Sequence, residues 1–178
     1  MIITVKDKQF APYLSEAAIH ARIAEMGKTL TAELKDSNPL FISILNGAFI
    51  FAADLIREID TPCEISFVKL ASYHGTESSG EVKTLLGIDK DIKDRVVVIV
   101  EDIVDTGNTL SAFMPTLEAL QPKKILLVSL LFKPKALQRP LKVDYTGFEI
   151  PNDFIVGYGL DYDGYGRNLK DIYKIQAP

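Results

Sequence analysis

The sequence predicts an α/β fold, in which a mainly parallel sheet is covered by helices on both faces. Three observations predict it. Short apolar, β-branched runs alternate along the chain with stripes of helical period, an order that right-handed crossovers convert into a parallel sheet. The run Val96-Val97-Val98-Ile99-Val100 is five consecutive β-branched residues, the mark of a strand buried on both faces. A chain of 178 residues, 47% apolar and 25% charged, has the size and composition of one globular domain, residues 1–178.

From Ser15 to Leu34 the residues Ile19, Ile23, Met26, Leu30 and Leu34 recur every three or four positions, which predicts an amphipathic helix with Ser15 as its N-cap. Asp36-Ser37-Asn38-Pro39 ends that helix. The run Leu40 to Leu45 is a buried strand broken by Asn46-Gly47, and a helix from about Ala48 to Ile59 follows. Thr61-Pro62 separates it from a strand over Cys63 to Leu70. The polar run YHGTESSGEVKT then predicts a long exposed loop or loose antiparallel flap, a candidate for motion over a site. After Val96–Val100 comes a helix to about Leu120, in which Pro115 removes a hydrogen bond and predicts a kink or a shifted start. Ile125 to Phe132 and Lys142 to Glu149 read as further strands. Phe154 to Gly157 and Ile172 to Ile175 read as short ones.

Composition excludes several classes of function. A chain this long buries about 70% of the surface it exposes when unfolded, so its core needs no disulfide or structural metal. The single cysteine, Cys63, has no partner for a bridge and reads as a buried thiol in a reducing compartment. The start MIITVKDKQF carries lysines and an aspartate with no long apolar run behind them, so neither a signal peptide nor a membrane span is expected, and the location expected is the cytoplasm. Twenty Lys and Arg against 24 Asp and Glu give a net charge of −4 with no basic block, which disfavours nucleic acid as partner. No G-x-G-x-x-G follows a strand and no Walker A lysine occurs, which excludes the common dinucleotide and nucleoside triphosphate motifs. His20 and His74 are too far apart in this reading to share a metal.

The chemistry concentrates in Glu101-Asp102-Ile103-Val104-Asp105-Thr106-Gly107-Asn108-Thr109. Two adjacent carboxylates stand at the carboxyl end of a strand, where open α/β sheets bind their ligands. The small-residue turn behind them opens a helix, whose first N–H groups are unpaired and carry the positive end of the dipole. Thr106 to Thr109 can therefore cradle a phosphate, and Gly107 lets the backbone come close. Carboxylates beside a phosphate site repel the ligand unless hydroxyls or a hard divalent ion intervene, so a ribose with magnesium fits. The plainer reading is that Asp105 caps the helix while Glu101 and Asp102 are solvated at a strand end. Nine such residues in one turn favour the functional one.

The segment VVVIVEDIVDTGNTL resembles the phosphoribosyl-pyrophosphate-binding signature of the type I phosphoribosyltransferases. LNGAFIFAADLI, LASYHGT, LLFKP, VDYTGFEIPNDFIVGYGLDY and GYGRNL resemble the successive motifs of the hypoxanthine(-guanine) branch, in that order and over nearly the whole chain. The resemblance implies the type I fold, a mainly parallel sheet flanked by helices with a small hood and a flexible antiparallel loop. It implies transfer of a 5-phosphoribosyl group from phosphoribosyl pyrophosphate to N9 of hypoxanthine, and of guanine, giving IMP or GMP and pyrophosphate, with Mg2+ required. Glu101 and Asp102 would hold the ribose hydroxyls and the first magnesium, and Thr106, Gly107, Asn108 and Thr109 the 5′-phosphate. Asp105 would be the general acid/base near N7 of the purine. Lys133 would donate to O6, Phe154 would stack on the base, and Ile155 would present its carbonyl to the 2-position. Asp161 would bind a second magnesium near the same position, and Arg167 would bind pyrophosphate. Leu45-Asn46-Gly47 matches the pyrophosphate loop, where the peptide before the second residue, Asn46, is typically cis, and Asn46 and Gly47 would bind pyrophosphate; many relatives carry lysine in place of Asn46, so the contact expected here is from the backbone. Ser72 and Tyr73 match the head of the mobile loop. A homodimer or homotetramer is expected.

Two other readings compete. A phosphoribosyltransferase for xanthine, adenine or a pyrimidine would share Glu101–Thr109 but need not share Lys133 or the Phe154-Ile155 pair. A regulatory module that senses phosphoribosyl pyrophosphate or binds nucleic acid would need a basic face or an added domain.

Overall fold

A computed structural model describes residues 1–72 and 82–176. Its elements in chain order are β1 (Ile3–Val5), β2 (Lys8–Leu14), α1 (Glu16–Leu34), β3 (Leu40–Leu45), α2 (Phe49–Arg57), β4 (Glu64–Ser72), β5 (Val82–Leu86), β6 (Val96–Val104), α3 (Asn108–Glu118), β7 (Lys124–Phe132), β8 (Tyr145–Glu149), β9 (Ile155–Val156) and β10 (Ile172–Ile175). The large sheet runs β5-β4-β3-β6-β7-β8. Five of its strands are parallel, and β5 pairs with β4 antiparallel through Lys69↔Leu86 to Ser72↔Val82. The expected α/β sheet with an antiparallel edge is thus present, although Tyr73 and the polar run up to residue 81 lie outside the described residues.

The strand β6 shows how a continuous apolar run serves two layers. Successive side chains of a strand point to opposite faces. Val96, Val98 and Val100 therefore pack with Ile19, Ile23 and Leu30 of α1 and Phe51 and Leu55 of α2, while Val97 and Ile99 pack with Leu110, Phe113 and Leu117 of α3. β3 divides likewise, Phe41 joining the first group and Leu40, Ile42 and Ile44 the second. Each fully buried Val or Leu contributes roughly 1.5–3 kcal/mol relative to exposure, which is why the run contains no polar residue before Glu101. Ser15 caps α1 as expected, its hydroxyl accepting from Ala18 N at 3.2 Å.

Strand order places the functional crevice. From β3 the chain crosses through α2 to β4 on one side, whereas from β6 it crosses through α3 to β7 on the other. Right-handed crossovers in opposite directions put their helices on opposite faces, and the two core groups show α2 and α3 so placed. The connections after β3 and β6 consequently diverge, leaving a crevice outside the carboxyl ends of these two neighbours. Asn46-Gly47 and Asp105–Gly107 are those connections.

The structure departs from the sequence reading at two points. β6 does not stop at Val100 but continues to Val104, so Glu101 and Asp102 lie within the strand. As the sequence predicts, Pro115 lies inside α3, which continues past it to Glu118; the hydrogen bond it cannot make is the one to Ser111 O, near the helix end. Residues 3–14, which carried no strand expectation, form β1 and β2. These pair with β10 and β9 in a second, antiparallel sheet ordered β1-β2-β10-β9 around Phe10, Val5 and Val156. Pro12 is tolerated in β2 because β1 pairs only with Lys8 to Phe10, leaving the proline flanked by β10 alone, at a register shift. Cys63 is partly buried against the α1/α2 core and burial pushes its thiol up, in keeping with an unreactive role.

No described helix is long and apolar enough to cross a membrane.

Candidate active site

A cavity of about 260 Å3 opens at the crevice, lined by Ile44, Leu45, Gly47, Leu70 and every residue from Glu101 to Leu110. The strand alternation continues into it. Glu101 prolongs the row of Val97 and Ile99, and Asp102 prolongs the row of Val96, Val98 and Val100 toward the α2 side. Both are buried, each 9% exposed. Glu101 Oε1 accepts from Asp102 N at 3.1 Å, and Asp102 Oδ1 accepts from Ile103 N at 2.9 Å. Burial, with the neighbouring Asp102 carboxylate second, holds the Glu101 carboxyl well above the usual carboxylate range.

The loop after β3 meets this pair directly. The Leu45–Asn46 peptide is cis, as expected for a pyrophosphate loop. A Cβ at Gly47 would overlap the Asp102 carboxylate, so only glycine lets the two segments touch. Gly159, from the segment after β9, stands against Gly47 O just as closely. Three stretches remote in sequence thereby converge within contact of one another.

Behind the carboxylates the chain turns into α3. Its N-cap is Gly107, with φ 75° and no side-chain capping bond, so Asp105 is not a helix cap and its carboxylate is left for another role. Thr106 Oγ1 accepts from Asn108 N at 3.4 Å. The remaining first-turn N–H groups are the unpaired donors of any helix start, and they suit an anion. Gln138 closes the loop from outside, its N donating to Thr106 O at 2.9 Å and its Oε1 accepting from Asn108 Nδ2 at 3.1 Å. No sequence signal pointed to Gln138.

Lys133 follows β7 and is 7% exposed, with Nζ donating to Asp105 Oδ2 at 2.9 Å and its own N donating to Val104 O. The parallel pairing of β6 and β7 brings Asp105 and Lys133 together, a neighbourhood invisible in their 28-residue separation. Phe154 is 43% exposed, edge-on to Tyr162 with ring centres 5.8 Å apart and tilted on Phe10, so it is not a core residue. Ile155 is buried and paired with Lys174 in the small sheet. Asp161 Oδ1 pairs with Arg167 Nη2 at 2.6 Å, and its Oδ2 accepts from Gly164 N at 2.6 Å. Arg167 also donates from Nη1 to Gly159 O at 2.6 Å. Lys133, Phe154, Ile155, Asp161 and Arg167 are not among the residues that line the cavity, although Lys133 is bonded to the lining Asp105 and the segment of Asp161 and Arg167 reaches the lining Gly47 through Gly159. Ser72 ends β4 beside the cavity-lining Leu70.

The donor set suits a divalent ion. Two adjacent buried carboxylates supply hard oxygen ligands. Magnesium ordinarily takes one or two carboxylates and completes its shell with water and phosphate oxygens. Among the described residues no group of three His, Cys, Asp or Glu gathers at one point.

A buried carboxylate pair beside an uncapped helix start at a sheet crevice has the donors and acceptors that suit a phosphorylated sugar. The family model for a phosphoribosyl transferase domain matches residues 13–163. The hypoxanthine-guanine phosphoribosyltransferase of Lactococcus lactis is 46% identical over 157 residues, 88% of this chain and 85% of that protein. The bifunctional protein TilS/HprT of Listeria innocua is 43% identical over 88% of the chain, which spans only 24% of that longer protein. The crystal structure of a hypoxanthine phosphoribosyltransferase from Staphylococcus aureus superposes with a TM-score of 0.89 at 37% identity, covering 93% of this chain and 90% of that one. The chain belongs to the type I phosphoribosyltransferase family, in its hypoxanthine(-guanine) branch.

Proposed function

We infer that the protein is a hypoxanthine(-guanine) phosphoribosyltransferase of purine salvage, moving the 5-phosphoribosyl group of phosphoribosyl pyrophosphate to N9 of hypoxanthine or guanine. The observation that carries this is the continuous lining of one cavity by Glu101 to Thr109, with Gly47 in contact with Asp102 at its edge. In the transfer, the bond from ribose C1 to pyrophosphate oxygen breaks with its electron pair leaving on pyrophosphate. The C1–N9 bond forms, and the purine gives up a proton.

We assign the ribose hydroxyls to Glu101 and Asp102 and the 5′-phosphate to the Thr106–Thr109 turn. Asp105 takes the purine proton near N7, and Lys133, already seated on Asp105, donates to O6 and so selects a 6-oxopurine. The exposed ring of Phe154 stacks on the base, and Ile155 offers its carbonyl to the 2-position. Asn46 and Gly47 meet pyrophosphate through their backbone and Arg167 through its guanidinium, which suits paired phosphate oxygens. Glu101 and Asp102 would hold the first Mg2+ and Asp161 a second. Bound there, magnesium would neutralise and orient the diol and pyrophosphate oxygens. Closure of the loop beginning at Ser72 and Tyr73 would exclude water from the cationic ribose. A homodimer or homotetramer is the assembly proposed.

The test is nucleotide formation with magnesium and phosphoribosyl pyrophosphate, offering hypoxanthine, guanine, xanthine, adenine and uracil separately. Turnover of hypoxanthine that falls ~10²–10⁴-fold in Asp105→Asn supports the reading, since that is what a placed acid/base contributes. Binding of phosphoribosyl pyrophosphate without turnover of any base would instead mark a sensor.

A further inference from the structure

Next to the pyrophosphate loop, and outside every role assigned above, lies a buried hydroxyl. Tyr158 is 3% exposed and holds φ at 49°, in the left-handed region that a bulky residue occupies only when its surroundings impose it. Its hydroxyl donates to Asp54 Oδ2 on α2. His20 of α1 approaches the same oxygen at 3.4 Å, its ring edge-on to Tyr158. A phenylalanine would fill the same space, so packing alone does not call for the hydroxyl. A bond to a carboxylate belongs to the stronger class of hydrogen bonds.

The two ends of this bond belong to the two halves of the pyrophosphate site. Asp54 lies on α2, which starts at Phe49, two residues after Gly47. Tyr158 precedes Gly159, which is clamped to Arg167 twice: Gly159 N donates to Arg167 O at 3.0 Å, and Arg167 Nη1 donates to Gly159 O at 2.6 Å. Gly159 in turn stands against Gly47 O. Resting on the function proposed above, we propose that Tyr158 is a positioning residue. Its bond to Asp54 ties the 157–167 segment to α2 and sets the height of the Arg167 guanidinium above the Asn46-Gly47 loop, hence the grip on pyrophosphate.

Tyr158→Phe, Asp54→Ala, Asp54→Asn and the Tyr158→Phe/Asp54→Ala double variant test this by initial rates in both directions. Loss of one hydrogen bond to a charged group predicts a rise of about tenfold in KM for phosphoribosyl pyrophosphate, and for pyrophosphate in the reverse reaction, with KM for hypoxanthine held within twofold. Asp54→Asn, whose amide oxygen still accepts from the hydroxyl, recovers most of that loss, and the double variant is no worse than Asp54→Ala. A role in stability alone predicts instead a lowered melting temperature with unshifted KM values. That result, an equal rise in all three KM values, or additive single effects would overturn the proposal. If the wild-type protein turned over no purine, the function reading would fail; calorimetric binding of magnesium pyrophosphate to the same variants would then decide the positioning role by itself, an unchanged affinity in Tyr158→Phe counting against it.

Discussion

Gly47→Ala probes the joint on which the site depends. The added methyl falls on the Asp102 carboxylate, within 2.5 Å of its Cγ and 3.0 Å of Oδ1. That carboxylate cannot swing away freely: it is 9% exposed and Oδ1 accepts from Ile103 N at 2.9 Å. Rotating it out forfeits a hydrogen bond to a charged group, about 1.5–3 kcal/mol. Moving the 45–47 loop instead costs about 1–3 kcal/mol of overpacking, because Gly159 already stands against Gly47 O. In either case Asp102 or the pyrophosphate loop is displaced by several tenths of an ångström from where the substrate meets it. If about 1.5–3 kcal/mol of that appears in the transition state, kcat/KM for phosphoribosyl pyrophosphate falls about 10–150-fold, at roughly 1.4 kcal/mol per tenfold. The assay is the initial rate of IMP formation against phosphoribosyl pyrophosphate concentration, with a thermal melt to show that the variant is folded. A folded Gly47→Ala protein within threefold of wild type would refute the reasoning, because it would mean that the loop and the carboxylate are not in obligatory contact.

Lys133→Met removes the donor seated on Asp105 and should lower kcat/KM for hypoxanthine about 10–100-fold while narrowing its lead over adenine; an unchanged ratio of the two bases would detach Lys133 from base selection. Leu30→Ala, at a fully buried position of α1, should cost about 2–5 kcal/mol in urea unfolding and leave KM values in place, and a loss under 1 kcal/mol would contradict the packing described. Burial first, and then the bond donated to Asp54, hold the Tyr158 phenol well above its ordinary value. Its contribution is fully present below the unfolded value of about 10 and is lost as pH rises beyond it, because the unfolded chain then gives up a proton that the folded protein keeps. Urea melts between about pH 10 and 11.5 should therefore fall more steeply in wild type than in Tyr158→Phe, by up to about 1.4 kcal/mol per pH unit, and parallel slopes would show that the phenol is not so held.

How much of this was legible in the sequence differs between the two sheets. The large sheet follows from local signals: apolar runs of strand length, helical stripes, and breakers at Asn38-Pro39, Asn46-Gly47 and Thr61-Pro62. The phosphate turn follows too, since strand, carboxylates, glycine and helix start are contiguous in Val96–Thr109. The small sheet was only half legible. Its β9 and β10 carry apolar residues in short runs, but β1 is only three residues long and β2 has a proline among its apolar residues, and β2 is fixed as a strand by pairing residues 10–14 with residues 172–175 at the other end of the chain.

The sequence by itself determined which residues bear charge, hydroxyl and glycine at a strand-to-helix turn, because that chemistry is encoded within nine consecutive positions. Only the tertiary structure decided which of them meet. The Asp105–Lys133 pair exists because β6 and β7 lie side by side in parallel, the contact of Gly47 with Asp102 because the strand order reverses at β3 and β6, and the tie from Asp54 to Tyr158 because the small sheet folds its segment back onto α2. Each of these is a contact between groups with no local coupling along the chain, and its energy is collected only after the sheet has closed around it.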